Sequence, residues 1–169
     1  MTYATIAATA ATPDRPGLLG GYVLEQVGLG RPSVLSLWST DGTLPDDAGY
    51  EVVEDWAGPA TGSRPAAAVV LHFTGPMSPA GYAAAERASR ERLQPVLATV
   101  PGLVRKLVLW QPAARSAVVV MLAGSMPDLE AAGRAVAGTE LLPGEDPALL
   151  PGPDRTEPYR VVDVLRSRP

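Results

Sequence analysis

The sequence predicts an α+β protein built from antiparallel sheets in two fused halves. Residues 101–125, PGLVRKLVLWQPAARSAVVVMLAGS, read as a β-hairpin: apolar, β-branched runs flank the polar turn QPAARS. Residues 16–39, PGLLGGYVLEQVGLGRPSVLSLWS, share that layout, and Pro16-Gly17-Leu18 matches Pro101-Gly102-Leu103 at an offset of 85. A second echo joins YEVVEDW at 50–56 to YRVVDVL at 159–165, at an offset of 109. The offsets differ by 24 residues, which the second half inserts between its hairpin and its last strand.

Taken in order, residues 2–12 are rich in Ala and Thr. Their place before the first Pro-Gly-Leu step predicts a helix, although Thr and Ile also suit a strand. The first hairpin covers 17–26 and 33–39. The polar loop DGTLPDDAG follows, with turn chemistry at Asp41-Gly42 and Pro45-Asp46, and then the strand 50–56. AGPATGSRP, 57–65, has the composition of a linker and divides a reduced half, 1–60, from a complete half, 61–169. The reduced half is expected to lack the second helix and the first strand. AAAVVLHFTG, 66–75, is a near-continuous apolar strand buried on both faces. Ser78-Pro79 starts a helix that runs to about Thr99, by N-cap serine and first-turn proline, and Pro95 should loosen its last turn. The pattern from Ser125 to Asp128 opens a short helix over 127–137. Residues 139–158, with their prolines, are expected to be a loop before the closing strand 159–165.

A chain of 169 residues can bury roughly 70% of its unfolded surface. Hydrophobic residues at 46% and charged ones at 19% are an ordinary globular balance. The net charge of −4 and thirteen scattered arginines give no basic face, which argues against a nucleic-acid partner. The absence of cysteine excludes disulfides, thiolate catalysis and cysteine-bound metal. A single histidine argues against a zinc site, and no metal is expected. The N-terminus has no basic leader before an apolar core, and no apolar run reaches the roughly 18 residues of a membrane span. These features predict a cytoplasmic protein with no membrane partner. Helices cover one face of a sheet, so the apolar other face must meet a second sheet.

His72, within an apolar strand, is the sharpest candidate for chemistry, as a proton acceptor near neutral pH. A histidine satisfied by a structural hydrogen bond is the commoner outcome. Asp163, among valines, is a candidate base if buried, and otherwise an arginine's partner. Trp38 and Trp110 could line an aromatic ligand's pocket or supply core mass. The same choice holds for Tyr82 and Tyr159. Arg105 could hold an anionic group or sit at a solvated strand end. Strand alternation groups Val104, Lys106, Val108 and Trp110 on one face, and Tyr159, Val161, Asp163 and Leu165 on one face of the last strand.

The order β-α-β-β-α-β, with its Pro-Gly-Leu step between first helix and hairpin, resembles the ferredoxin-like dimeric α+β barrel superfamily. It is most similar to the antibiotic-biosynthesis-monooxygenase branch, whose hairpin commonly ends in Trp-x-Ser. Trp38-Ser39-Thr40 stands at that place in the first half, and Ala123-Gly124-Ser125 in the second. The resemblance implies two sheets closed into a barrel, here by a tandem copy in one chain. It implies a cofactor-independent monooxygenase or cyclase acting on an aromatic, polyketide-like molecule in secondary metabolism. His72 or Asp163 would be the base, with Trp110, Tyr82, Arg105, Trp38 and Tyr159 around the substrate. Haem-degrading relatives use a histidine on the second helix, and residues 127–137 contain none. The other reading is a non-catalytic barrel that binds a small molecule, a protein partner or a second copy of itself.

Overall fold

Eight antiparallel strands close into a barrel in the computed structural model, which describes residues 1–9, 11, 16–39 and 49–166. The strands are β1 (Thr2–Ala7), β2 (Leu18–Gln26), β3 (Pro32–Ser39), β4 (Gly49–Ala57), β5 (Ala67–Phe73), β6 (Leu103–Gln111), β7 (Ser116–Ala123) and β8 (Arg155–Arg166). Around the ring they run β1-β3-β2-β8-β5-β7-β6-β4, and β4 returns to β1. The first four strands thus stand in the order β4-β1-β3-β2, and the last four repeat it as β8-β5-β7-β6. Two seams, β2 on β8 and β6 on β4, join these sets.

The irregularities repeat as well. β2 slips register between Leu18 and Gly20, and β6 slips between Leu103 and Arg105, 85 residues on. β4 bulges at Val53 against β6, and β8 bulges at Val162 against β2, 109 residues on. A bulge inserts one residue and exchanges the faces beyond it. This corrects two expected groupings. Val104 joins the barrel interior instead of following Lys106 and Trp110 outward. On β8, Tyr159, Val161 and Val164 pack on the interior, so Asp163 does not continue their face.

Two expectations about the ends of the halves are also corrected. Thr2–Ala7 is a strand and not a helix, and the first half keeps its first strand. Thr2, Tyr3, Thr5 and Ile6 favour a pleat, and only an extended segment can pair with β3 on one side and β4 on the other. β8 begins at Arg155, inside the segment expected to be loop. The polar loop expected at 41–49 lies outside the described residues except for Gly49, where β4 starts.

Among the described residues the helices all fall in the second set. α1 (Pro79–Arg87) is capped by Ser78, whose Oγ accepts from the Gly81 N–H at 3.0 Å. It passes through a π-helical stretch, Ala88–Leu93, into α2 (Gln94–Leu97). Pro95 supplies no N–H, but the widened turn lies before it, at Ala88–Leu93, and not in the last turn, where the loosening is expected: Gln94–Leu97 is α-helical. α3 (Met126–Ala137) is capped by Ser125. Leu97, Val100, Leu103, Met121, Leu129 and Ala132 form the core between helices and barrel wall. A separate core fills the barrel itself, around Leu24, Leu35, Leu37, Val70, Leu107, Leu109, Val120 and Leu122.

Segment 58–65 crosses one end of the barrel. Gly58 and Ala60 donate N–H groups to Val104 and Leu103 carbonyls at 3.0 and 2.8 Å, and Ala60 packs on the interior core. The other end is where β5 finishes and β8 starts.

Candidate functional site

At that other end the barrel opens into a cavity of about 340 Å³. Leu24, Leu35, Val70 and Val120 form its apolar floor, and Ile6 and Ala8 lie along the β1 side. Alternation on β5 aims Ala68, Val70 and His72 inward, and on β8 it aims Glu157 and Tyr159 to the same place. These two strands pair directly, with His72 opposite Arg155, so the side chains meet across the seam.

Glu157 is the hub. His72 Nε2 stands 2.8 Å from its Oε2, and the Tyr159 hydroxyl donates to the same oxygen at 3.2 Å. Gln26 Nε2 donates to Oε1 at 3.4 Å, and Arg155 Nε lies 3.1 Å from that oxygen. Burial pushes the Glu157 carboxyl upward, but the His72 hydrogen bond, the Arg155 charge and the Tyr159 hydroxyl outweigh it and hold the group below its ordinary value. The carboxylate is therefore ionised and accepts only, so Nε2 of His72 carries the proton and donates. Arg155 Nη2, 3.2 Å from Nε2, then lies beside the ring without donating to it. No described residue hydrogen-bonds Nδ1. Burial, the Glu157 charge and its hydrogen bond all push the Tyr159 phenol up, so it stays protonated and donating.

Of the residues expected to form one site, His72 and Tyr159 are brought together and the others are dispersed. Asp163 is exposed at the opposite end, 3.2 Å from Arg64, with its side chain 60% accessible. It has none of the burial expected of a base. Arg105 lies near that end as well, bidentate to Asp55 at 2.8 and 2.7 Å and donating to the Tyr22 hydroxyl at 3.1 Å. Tyr82 and Trp110 meet edge-to-face, ring centres 4.7 Å apart, between α1 and the outer wall of β6. Burial and the nearby Glu86 and Glu51 charges raise the Tyr82 phenol. Trp38 is buried, and its Nε1 donates to Thr5 Oγ1 at 3.0 Å.

Glu157, Arg155, Gln26 and Arg31 were not singled out by sequence reasoning. The signal lay in Arg155-x-Glu157-x-Tyr159, one alternating face of a strand interrupted by Pro158. Pro158 is tolerated because the β2–β8 ladder starts only at Tyr159, so no ladder donor is needed at 158; its carbonyl accepts from the Val27 N–H at 2.9 Å.

No family model matches the chain, and no curated protein matches it. Solved structures do. A ferredoxin-fold protein from Listeria monocytogenes, described as related to antibiotic biosynthesis monooxygenases, superposes with a TM-score of 0.66 at 8% identity, over 96% of this chain and 95% of that one. A monooxygenase-like protein from Listeria innocua gives 0.64 at 9% identity over 96% and 95%. An anthrone oxidase-like protein gives 0.56 at 17% identity over 99% and 93%. The chain has the α+β barrel fold of this group of solved structures. Its likeness to that group extends over nearly the whole length of these chains, so the expected α+β barrel is the one observed. Among the described residues no helix is long and apolar enough to cross a membrane, and no His, Cys, Asp and Glu cluster could hold a metal.

Proposed function

We propose that the chain is a tandem α+β barrel, a reduced half 1–60 and a complete half 61–169, that acts as a cofactor-independent monooxygenase or cyclase. Its substrate would be a small aromatic, polyketide-like molecule of secondary metabolism, bound in the His72 cavity. The repeated ring order and the bulges recurring at offsets 85 and 109 support the tandem reading. The likeness to the anthrone oxidase-like structure supports the substrate class.

One observation carries the chemistry. An imidazole is fixed by a partly buried carboxylate through Nε2, with Nδ1 facing no described partner, over an apolar floor. In this reading Nδ1 takes a proton from the acidified C–H of an anthrone, or from the O–H of a phenol whose anion carries charge on a ring carbon. The resulting carbanion passes one electron to oxygen, and the radical pair collapses to a C–O bond. The peroxide anion takes the proton back from the imidazolium, and the hydroperoxide so formed loses water, leaving a carbonyl. Glu157 stabilises the imidazolium while it exists. Leu24, Leu35, Val70 and Val120 keep water from the carbanion. Arg31, which makes no ion pair with any described residue, and Arg155 flank the cavity where the substrate oxyanion would lie. Tyr159 sets the Glu157 oxygen, whereas Trp38, Trp110 and Tyr82 serve packing.

A second reading, binding without turnover, is favoured by one fact. Tyr159 already donates its one O–H to Glu157 and is not free to serve an oxyanion, and Gln26 has one of its two N–H groups on the same carboxylate. Incubating the protein with an anthrone in air and under nitrogen, beside His72→Ala and Glu157→Gln, tests both. The enzyme reading expects an oxygen-dependent quinone that falls at least about a hundredfold in His72→Ala. Bound anthrone without product above the blank would leave the binding reading alone.

A further inference from the structure

The end of the barrel opposite His72 holds a second cavity, of about 510 Å³, between segment 61–65 and the ends of β2, β6 and β8. Three arginines line it, Arg64, Arg105 and Arg166, against one lining carboxylate, Asp163. In a chain of net charge −4 this is a local excess of positive charge. Two of the three are already neutralised. Arg105 holds Asp55 through two hydrogen bonds, and Arg64 reaches Asp163 at 3.2 Å across an exposed pair. Arg166 makes no ion pair with any described residue. The guanidinium forks that converge here therefore exceed the carboxylates available to them. Arginine's planar fork matches an oxyanion. Tyr22, Val104 and Val164 supply an apolar wall beside that charge, and Arg105 donates to the Tyr22 hydroxyl, which ties the wall to the cationic rim.

We infer that this cavity binds a small organic oxyanion, its acid group held by Arg64 and Arg166 and its apolar body laid against Tyr22, Val104 and Val164. The shared chemistry is a carboxylate or phosphate beside a hydrophobic surface, and the site is independent of proton transfer at His72. Asp163 gives up its hold on Arg64 when the ligand enters. That costs little, because the pair is exposed and solvent-screened.

Calorimetric titration of the full chain with benzoate, inorganic phosphate and neutral benzamide tests the site, each in wild type, Arg64→Gln, Arg166→Gln and His72→Ala. The expected result is saturable binding of benzoate, weaker or no binding of benzamide, and a loss of about tenfold in affinity for each arginine variant. His72→Ala should bind as wild type does, and added salt should weaken the interaction. Phosphate binding as tightly as benzoate would assign the site to a phosphate without need of the apolar wall. Benzoate alone would assign it to a carboxylic acid. Failure of both anions to bind, binding unchanged in both arginine variants, or binding lost in His72→Ala would overturn the inference. Because Arg64 and Arg166 are both exposed, their variants should fold, and a circular-dichroism melt verifies it.

Discussion

Glu157 turns one strand face into a working cluster. Its carboxyl lies below its ordinary value in the folded chain, so the sign of its pH effect follows. The stabilisation is fully present above the unfolded carboxylate value of about 4.3 and is lost as pH falls through the folded value. Urea melts should show stability falling below about pH 4.5, with a shallower fall in Glu157→Gln. At pH 7 that variant should lose on the order of 1.5–3 kcal/mol, the range for hydrogen bonds to a charged group. An acid limb as steep as that of wild type would show that Glu157 is not what the fold loses. Tyr159→Phe removes one donor to Glu157 and should cost about 1 kcal/mol while leaving the cavity in place. At this scale the sequence was half legible. His72 stood out because an imidazole in an apolar strand is conspicuous, and Tyr159 because it shares an alternating face. Asp163 was the second candidate, behind His72, but one inserted residue at Val162 changed the face it was assigned to. Bulges arise from strand pairing across the seam, which no local pattern announces.

Between β6 and the helices sits an element-scale device that the strand pattern could not show. Lys106, the only lysine, is buried. Its Nζ donates to Ser89 Oγ at 2.5 Å and lies 2.6 Å from Glu54 Oε1, and Ser89 donates to Glu54 Oε2 at 2.7 Å. The triad pins the π-helical stretch to β4 and β6. Removing one partner strands a buried charge, so Lys106→Ala should cost about 3–5 kcal/mol. The double change Lys106→Met with Glu54→Leu should cost clearly less in the same chemical melts. The Pro-Gly-Leu step gains a physical meaning here too. A Cβ on Gly102 would fall 2.1 Å from Asp128 Cγ, at the carboxylate that meets the α3 cap. Gly102→Ala should therefore destabilise by about 1–3 kcal/mol, and Asp128→Ala added to it should restore part. Serine caps before Pro79 and Pro127 were readable in advance because capping is local chemistry. The strand at Thr2–Ala7 was not, because its identity depends on β3 and β4, one on each side.

At the scale of the whole molecule, two four-strand sets have no free edge among the described residues. The ring order and its seams leave every edge strand paired with the other set. Under the tandem proposal, residues 61–169 expressed alone would expose β6 and β8, the strands that now meet β4 and β2. That fragment should self-associate by pairing β6 of one copy with β8 of another, and light scattering should find a dimer as its smallest folded species. A folded monomer would count against the proposal. The paired hairpins and the matching last strands were legible because both copies preserve apolar alternation. Closure itself was expected on the physical ground that each sheet has one greasy side too many. What the sequence hid was the difference between the two ends.

The strand registers fix which residues correspond across the ring. Ala7 faces Val34 on β3, Leu71 faces Val119 on β7, and Val34 and Val119 are 85 apart, so Ala8 is the counterpart of His72. Two identical subunits would set a pair of imidazoles around one opening, each competing for the same guest. A single polypeptide escapes that constraint. Opposite the imidazole it carries only a methyl group, and under the proposed function that space would let a flat molecule lie off-centre with one particular edge toward Nδ1. Under the tandem proposal, placing a second ring there with Ala8→His should crowd that berth and erase the handedness of approach.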